Sequence, residues 1–315
     1  MTTHRDDPSA RARRIVEAVA TVLRGKEAVV EQAVLALVAG GHLLIEDIPG
    51  VGKTTLAHAL ARAIGGRFRR VQFTSDLLPS DLVGVAVYSA RTECFEFQPG
   101  PLFANVVVAD EINRAPPRTQ SALLEAMEEA RVTVDGESHD LPRPFFVLAT
   151  QNPLEYHGTY DLPESQMDRF LMRLSLGYVD DETERALLRS PDRPAPLDVA
   201  AVASPEVLVA LQTRAAAVAV ADPVAAYAQT IVARTRRHPD VTLGASTRAA
   251  LGWMAAARAR ALLHGRAYVI PDDLQALAVP VLAHRLVVPR AAARTERATA
   301  EDLVRTILSE TPVPV

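Results

Sequence analysis

The chain has 315 residues, 49% of them hydrophobic, and a formal net charge of −4, which suits one large or two modest domains with a real core and excludes a disordered polyelectrolyte. A single cysteine, Cys94, excludes an internal disulfide and fits a reducing compartment. No apolar run approaches the ~18 residues of a membrane span.

The N-terminal MTTHRDDPSARARR carries charge without an apolar segment behind it, so it does not read as a secretory signal, and a cytoplasmic location is expected. From Ala10 to about Ala39 the spacing of Ile15, Val19, Val22, Val29, Val30, Val34 and Leu37 predicts two helices broken at Arg24-Gly25-Lys26. Leu43-Leu44-Ile45 predicts a buried strand, a helix follows from Lys53 to about Ile64, and Arg70–Phe73 predicts a second strand. Ser75–Leu82 predicts a brief helix ended by Gly84. Residues 85–98 alternate apolar and polar around Ala90-Arg91, a hairpin signal, and Arg131–Leu141 repeats it around Asp135-Gly136. Between the hairpins lie a strand at Val106–Ala109 and a helix from about Pro117 to Ala130. Phe145–Ala149 predicts a further strand, Pro163–Phe170 a short helix and Arg173–Leu176 a last strand.

This alternation predicts an α/β fold with a mostly parallel sheet between helices. Beyond Tyr178 the pattern turns all-helical, at Asp181–Ser190, Pro205–Val220, Pro223–Arg237, Ser246–Leu263 and Pro271–Leu286, with Pro191–Pro205 as a linker-like loop. Two domains are therefore expected, an α/β core over 1–180 and a helical domain over 181–315.

Three strand ends carry the chemistry. LLIEDIPGVGKTTL, residues 43–56, joins a strand through a glycine turn to a helix, the outline of a phosphate-binding loop. Gly50 and Gly52 let backbone N–H groups curl round a phosphate, and the helix that follows aims its free N–H groups and dipole at the same anion. Two of the 34 basic residues are lysine, Lys26 and Lys53, so a chain that otherwise uses arginine places a compact ammonium here. Pro49, Gly50, Val51, Gly52, Lys53, Thr54 and Thr55 form the candidate phosphate cradle, and Thr54 can ligate the Mg²⁺ that travels with the phosphates; the motif alone names neither the nucleotide nor a reaction. Asp47 stands where the strict pattern has its first glycine. The apolar strand Val106–Ala109 ends in Asp110-Glu111, at the sheet edge where the loop also lies. Asp110 can hold Mg²⁺ through water and Glu111 can act as general base, although both could simply cap the next helix. The strand ending in Thr150-Gln151-Asn152 could bring Asn152 to the γ-phosphate, or leave it as a turn residue before Pro153.

The runs GHLLIEDIPGVGKTTLA, QPGPLFANVVVADEINRAPPRTQSALLEAMEE, VLATQNPLEYHGTYDLPESQMDRFLMR and GASTRAAL, in this order from about Gly25 to Leu286, resemble the MoxR family of AAA+ ATPases. The resemblance implies an AAA+ P-loop core with a C-terminal helical lid, in the branch that carries a helix-2 insert. It assigns Lys53 and Thr54 to the Walker A motif, Asp110 and Glu111 to Walker B, and Asn152 to sensor 1. Arg169 matches the arginine-finger segment, with Arg173 as second candidate, and Arg248 matches sensor 2. Arg169 could instead pair with Glu164 or Asp168, and Arg248 could be a solvated helix-end arginine. Departures fall at Tyr156-His157, where a polar, often acidic pair is expected, and at Thr247, where proline is frequent.

An arginine finger implies an oligomer, and the family is typically hexameric. The function implied is a remodelling ATPase, chaperone-like, that matures or activates a client protein complex, often with a partner carrying a von Willebrand factor A domain. Alternatives on the same core are a nucleic-acid motor, as in minichromosome-maintenance helicases, and an ATP-binding switch. Phosphate tracking needs basic residues. Arg131 stands against Asp135, Glu137 and Asp140 in one hairpin, and Arg91 against Glu93 and Glu96 in the other, which speaks against nucleic acid. The presence of Glu111 disfavours a mere switch. The histidines show no metal-ligand spacing, and no structural metal is expected.

Overall fold

The computed structural model describes residues 7–153, 158–189, 195–289 and 296–314. Helices α1 (Pro8–Ala20) and α2 (Glu27–Val38) lead into β1 (Leu43–Glu46), which opens through the loop into α3 (Lys53–Ala63). Then follow β2 (Phe68–Gln72), α4 (Pro79–Val83), the hairpin β3 (Gly84–Ser89) and β4 (Cys94–Pro99), and β5 (Val106–Asp110). Next come α5 (Pro117–Glu129), the hairpin β6 (Arg131–Val134) and β7 (Glu137–Asp140), β8 (Phe146–Gln151), α6 (Glu164–Met167) and β9 (Met172–Leu174). The C-terminal part is helical, with α7 (Asp181–Arg189), α8 (Pro205–Ala216), α9 (Asp222–Arg237), α10 (Thr247–Leu263), α11 (Pro271–Leu282) and α12 (Glu296–Glu310).

Five strands pair in parallel in the order β2-β5-β8-β1-β9. Alternation along each strand divides the core. Leu43, Ile45, Val106, Val108, Phe146 and Leu148 face α1, α2, α3 and the C-terminal helices, in one continuous apolar cluster. Leu44, Val107, Ala109, Val147 and Ala149 face the other way, toward Leu123, Leu124 and Met127 of α5 and Val132 of β6. Parallel strands buried on both faces need such unbroken apolar runs.

Several expected boundaries move. The helix expected at Ser75–Leu82 begins only at Pro79, whose fixed φ suits a first helical turn. The helix expected at Pro163–Phe170 is confined to Glu164–Met167, because the carbonyls beyond it are taken by the lid. The last strand lies at Met172–Leu174, matching the three residues of β1 that pair with it, and Ser175 leaves the sheet. The linker-like loop over 191–205 lies partly outside the described residues; where described, it is strapped to α3, with Val202 and Ala203 N–H donating to Ala63 O. Helix α12 was not anticipated from the sequence. Its buried Ala300, Leu303, Val304 and Ile307 follow the i, i+3, i+4, i+7 spacing that would have revealed it. Tyr156-His157 lie outside the described residues. Among the described residues no helix is long and apolar enough to cross a membrane.

Candidate active site

All parallel strands end on one edge, and the β1–α3 loop crosses it. Gly50 and Gly52 take φ of 86° and 99°, a region that disfavours any side chain. A Cβ at Gly52 would also lie 3.2 Å from Leu23 Cδ2. Gly52 caps α3 without any side-chain bond to the first-turn N–H groups, which leaves them to an anion. Here a cleft of about 360 Å³ is lined by Pro49, Gly50, Gly52, Lys53, Thr54, Thr55, Arg70, Gln72, Asp110 and Glu111. This is a fit for a nucleotide's phosphates: bare helix N–H groups, glycine turns, a lysine, and hydroxyls beside carboxylates that could hold the accompanying Mg²⁺.

Lys53 Nζ donates to Asp47 O at 2.8 Å. Burial lowers its ammonium pKa, against the opposing pull of Asp110, Asp47 and Glu111. Glu111 takes the left-handed conformation, φ 56° and ψ 53°, a strain typical of functional positions. The turn is pinned by Thr150, whose Oγ1 accepts Glu111 N–H at 2.9 Å and donates to Asp110 Oδ1 at 2.5 Å. Gln72 Nε2 donates to Glu111 Oε2 at 2.8 Å, and Arg114 pairs with the same oxygen at 2.9 Å. Arg70 meets Asp110 Oδ2 at 2.5 Å. Sequence reasoning missed Arg70, Gln72, Thr150 and Arg114. The alternation of β2 hinted at the first two, but strand order, which brings β2 beside β5, is not written in a local pattern.

Val51, Asn152, Arg169, Arg173 and Arg248 are not among the lining residues. Asn152 is buried directly after β8, whose Gln151 lies level with Glu46 in β1. Arg173 sits within β9, ion-paired with Glu46 at 3.3 Å. Arg169 pairs with neither Glu164 nor Asp168; it meets Glu128 at 3.2 Å, and Arg248 binds the same carboxylate. Asp168 is taken instead by Arg285 Nε at 2.7 Å and by the Ser246 hydroxyl at 2.9 Å. Ser246 also caps α10, accepting Ala249 N–H at 2.9 Å, so Arg248 projects from the first turn.

Glu128 belongs to the opposite edge of the sheet. Its neighbour Met127 offers a carbonyl to His42 Nε2, and His42 immediately precedes β1. Leu171 N–H donates to His42 O, which fixes the Arg169 segment at that same amino edge. Strands of three to six residues at about 3.3 Å each separate the two edges by roughly 10–20 Å, beyond the reach of an arginine side chain.

The chain matches the model of the ATPase family associated with various cellular activities (AAA) over residues 42–172, and that of the AAA lid domain over 233–307. It is 49% identical over 303 residues to the uncharacterized protein YeaC of Bacillus subtilis, covering 96% of this chain and 94% of that protein. It is 42% identical over 283 residues to Chaperone MoxR1 of Mycobacterium tuberculosis, covering 87% of this chain and 75% of that one. The chain belongs to the MoxR family of AAA+ ATPases. A solved structure from Cytophaga hutchinsonii, 34% identical, superposes with a TM-score of 0.88 over 98% of this chain and 96% of its own. This MoxR-family chain is thus an ATPase with an AAA+ core and a C-terminal lid, and the cleft at the carboxyl edge is its candidate nucleotide site.

Proposed function

We propose that the chain hydrolyses ATP as a homo-hexamer in which each cleft is completed by the amino edge of a neighbour. In this reading Pro49 to Thr55 cradle the phosphates, Lys53 meets the β- and γ-phosphates, and Thr54 and Asp110 hold Mg²⁺. Bound Mg²⁺ neutralises charge on the phosphoryl oxygens. Glu111 takes a proton from the attacking water, oriented by Gln72 and Arg114, while Asn152 helps to place that water. Arg169 and Arg248 reach into the neighbouring cleft, and Arg173 stays within its own subunit. The boundary between core and lid falls near residue 180.

The observation that carries this reading is the pairing of Arg169 with Arg248 on Glu128, at the edge away from their own cleft. Two guanidiniums against one carboxylate leave a positive charge unspent, and Arg169 Nε is buried without an acceptor among the described residues. Such donors suit an anion brought by another subunit. ATP turnover is expected to rise faster than linearly with protein concentration as rings assemble. Arg169→Ala, inactive alone, should regain turnover when mixed with Lys53→Ala: the first keeps an intact loop and the second supplies the arginine. If the mixture stays inactive and specific activity is independent of concentration, the ring reading is wrong.

The work done with this hydrolysis is proposed to be chaperone-like maturation or activation of a client protein complex in the cytoplasm, with a partner carrying a von Willebrand factor A domain. The acidic balance of both hairpins supports a protein client over nucleic acid.

A further inference from the structure

Asp47 replaces the first glycine of the strict phosphate-loop pattern, yet its backbone needs no glycine, since it is absent from the residues with positive φ. What the position holds instead is a buried carboxylate, 7% exposed. Oδ1 accepts Ile48 N–H at 2.9 Å, and Oδ2 accepts the Ser175 hydroxyl at 3.0 Å and Gly177 N–H at 2.7 Å. Burial alone would raise its pKa, but these donors hold the carboxyl below its usual value, so it stays an acceptor. On the main chain, Asp47 N–H donates to Gln151 O at 3.1 Å, and Asp47 O accepts Lys53 Nζ at 2.8 Å.

One residue therefore ties the loop lysine to the stretch where β9 gives way to the lid. Other contacts hold that stretch to the same side. Lys26 Nζ donates to Tyr178 O, and Leu23 and Leu176 flank Gly52. Gly25 lies against Thr183 in α7. A ligand shifts a conformation only through contacts that differ between its states. Here the contact that would differ is that of the Lys53 ammonium, for which a phosphate in the loop would compete with the Asp47 carbonyl.

We propose that Asp47 is a positioning residue that couples occupancy of the phosphate loop to the seat of the helical lid, through Ser175 and Gly177. The proposal rests on the ATP site described above and adds to it a route from that site to the lid that carries Arg248.

Asp47→Asn keeps the size but sets an amide NH₂ against one of the donors. Losing one charge-assisted hydrogen bond is worth about tenfold. The expected result is ATP affinity within about threefold of wild type by isothermal titration, with kcat down about tenfold. In the wild type, a non-hydrolysable ATP analogue with Mg²⁺ should slow hydrogen exchange over residues 175–189; in Asp47→Asn that response should vanish. Ser175→Ala, which leaves the loop untouched, should show a smaller loss of the same response. Wild-type kcat and exchange response in Asp47→Asn would overturn the proposal. If Asp47→Asn loses ATP binding altogether, Ser175→Ala decides: a wild-type response there reduces Asp47 to a builder of the loop and overturns the coupling, and a diminished response sustains it. A wild type that fails to bind ATP refutes the site and the coupling together. One that binds without any exchange change at 175–189 refutes the coupling alone.

Discussion

At the carboxyl edge of the sheet, the arginines stand half in solvent over more buried carboxylates: Arg70 and Arg114 are 51% and 48% exposed, their partners Asp110 and Glu111 11% and 23%. At the amino edge two arrangements lie side by side. Arg285 is 3% exposed and locks Asp168, with further bonds to the carbonyls of Phe170 and Leu171. Arg169, Glu128 and Arg248 form a looser triad, 29%, 41% and 51% exposed. Exposed pairs contribute about 0–1 kcal/mol, so a ligand can exchange them at little cost. Breaking a buried pair costs about 3–5 kcal/mol. The difference separates charges that the fold keeps from charges it can lend. The triad belongs to the second kind, and Arg285–Asp168 is the brace that holds the triad's segment in place.

Lys53→Ala should have the largest effect. It removes the only lysine in the cleft, and titration with ATP should find no tight binding. Unchanged affinity would remove the carboxyl edge from the comparison altogether.

Arg169→Ala comes next, with turnover down about 10³-fold at unchanged ATP affinity, the lower end of what a trans arginine contributes. Arg173→Ala should act differently: it removes the ion pair that joins β9 to Glu46 of β1 and lowers the melting temperature more than the rate per folded molecule. If Arg173→Ala stays folded and loses the rate while Arg169→Ala does not, the lent charge has been assigned to the wrong arginine.

Glu111→Gln should bind ATP and retain it, with turnover down by about 10²-fold, the usual share of a general base. Near-normal steady-state turnover in this variant would leave Glu111 as a strained turn residue and nothing more.

The loop and the two acids of the carboxyl edge were legible in the sequence because they are contiguous with strand ends, whereas Arg70, Gln72, Thr150 and Arg114 were not. LLIEDIPGVGKTT, VVVADE and VLATQN each announce a strand by apolar residues and then a polar group at its exit, and β1, β5 and β8 lie where those runs placed them. The amino edge was not legible. Glu128 is one of three acids near the end of α5, and only the tertiary fold brings it to Arg169 and to Arg248, 120 residues away. Arg285 reads locally as a helix-end cation, but the packing of α11 against β9 buries it. Asp47 showed only as a departure from a pattern. Its partners Ser175 and Gly177 follow β9, and nothing local says that β9 pairs beside β1.

The smallest effect is on stability, and it tests whether the amino edge is a fixed structure. His42 Nδ1 accepts Val147 N–H at 3.0 Å, so the ring proton sits on Nε2, which donates to Met127 O at 3.0 Å. This neutral ring joins β8 to the turn of α5 that presents Glu128. Burial lowers its pKa from 6.5 to about 4, with the Met127 bond pulling weakly the other way. Between those values the unfolded chain carries the extra proton and the folded one does not, so stability falls as pH drops. From pH 7 to pH 5 that linkage amounts to about 2 kcal/mol. His284, whose Nε2 contacts Phe170 O, is also pushed down by burial, then by Arg285 and Arg173, and adds in the same direction. Urea denaturation at the two pH values and constant ionic strength should register the loss. In His42→Gln, which cannot titrate, the drop should shrink by about that amount, whatever the substitution does to stability at pH 7. A drop that persists undiminished in His42→Gln would place the acid sensitivity elsewhere and leave this neutral histidine without the structural weight assigned to it.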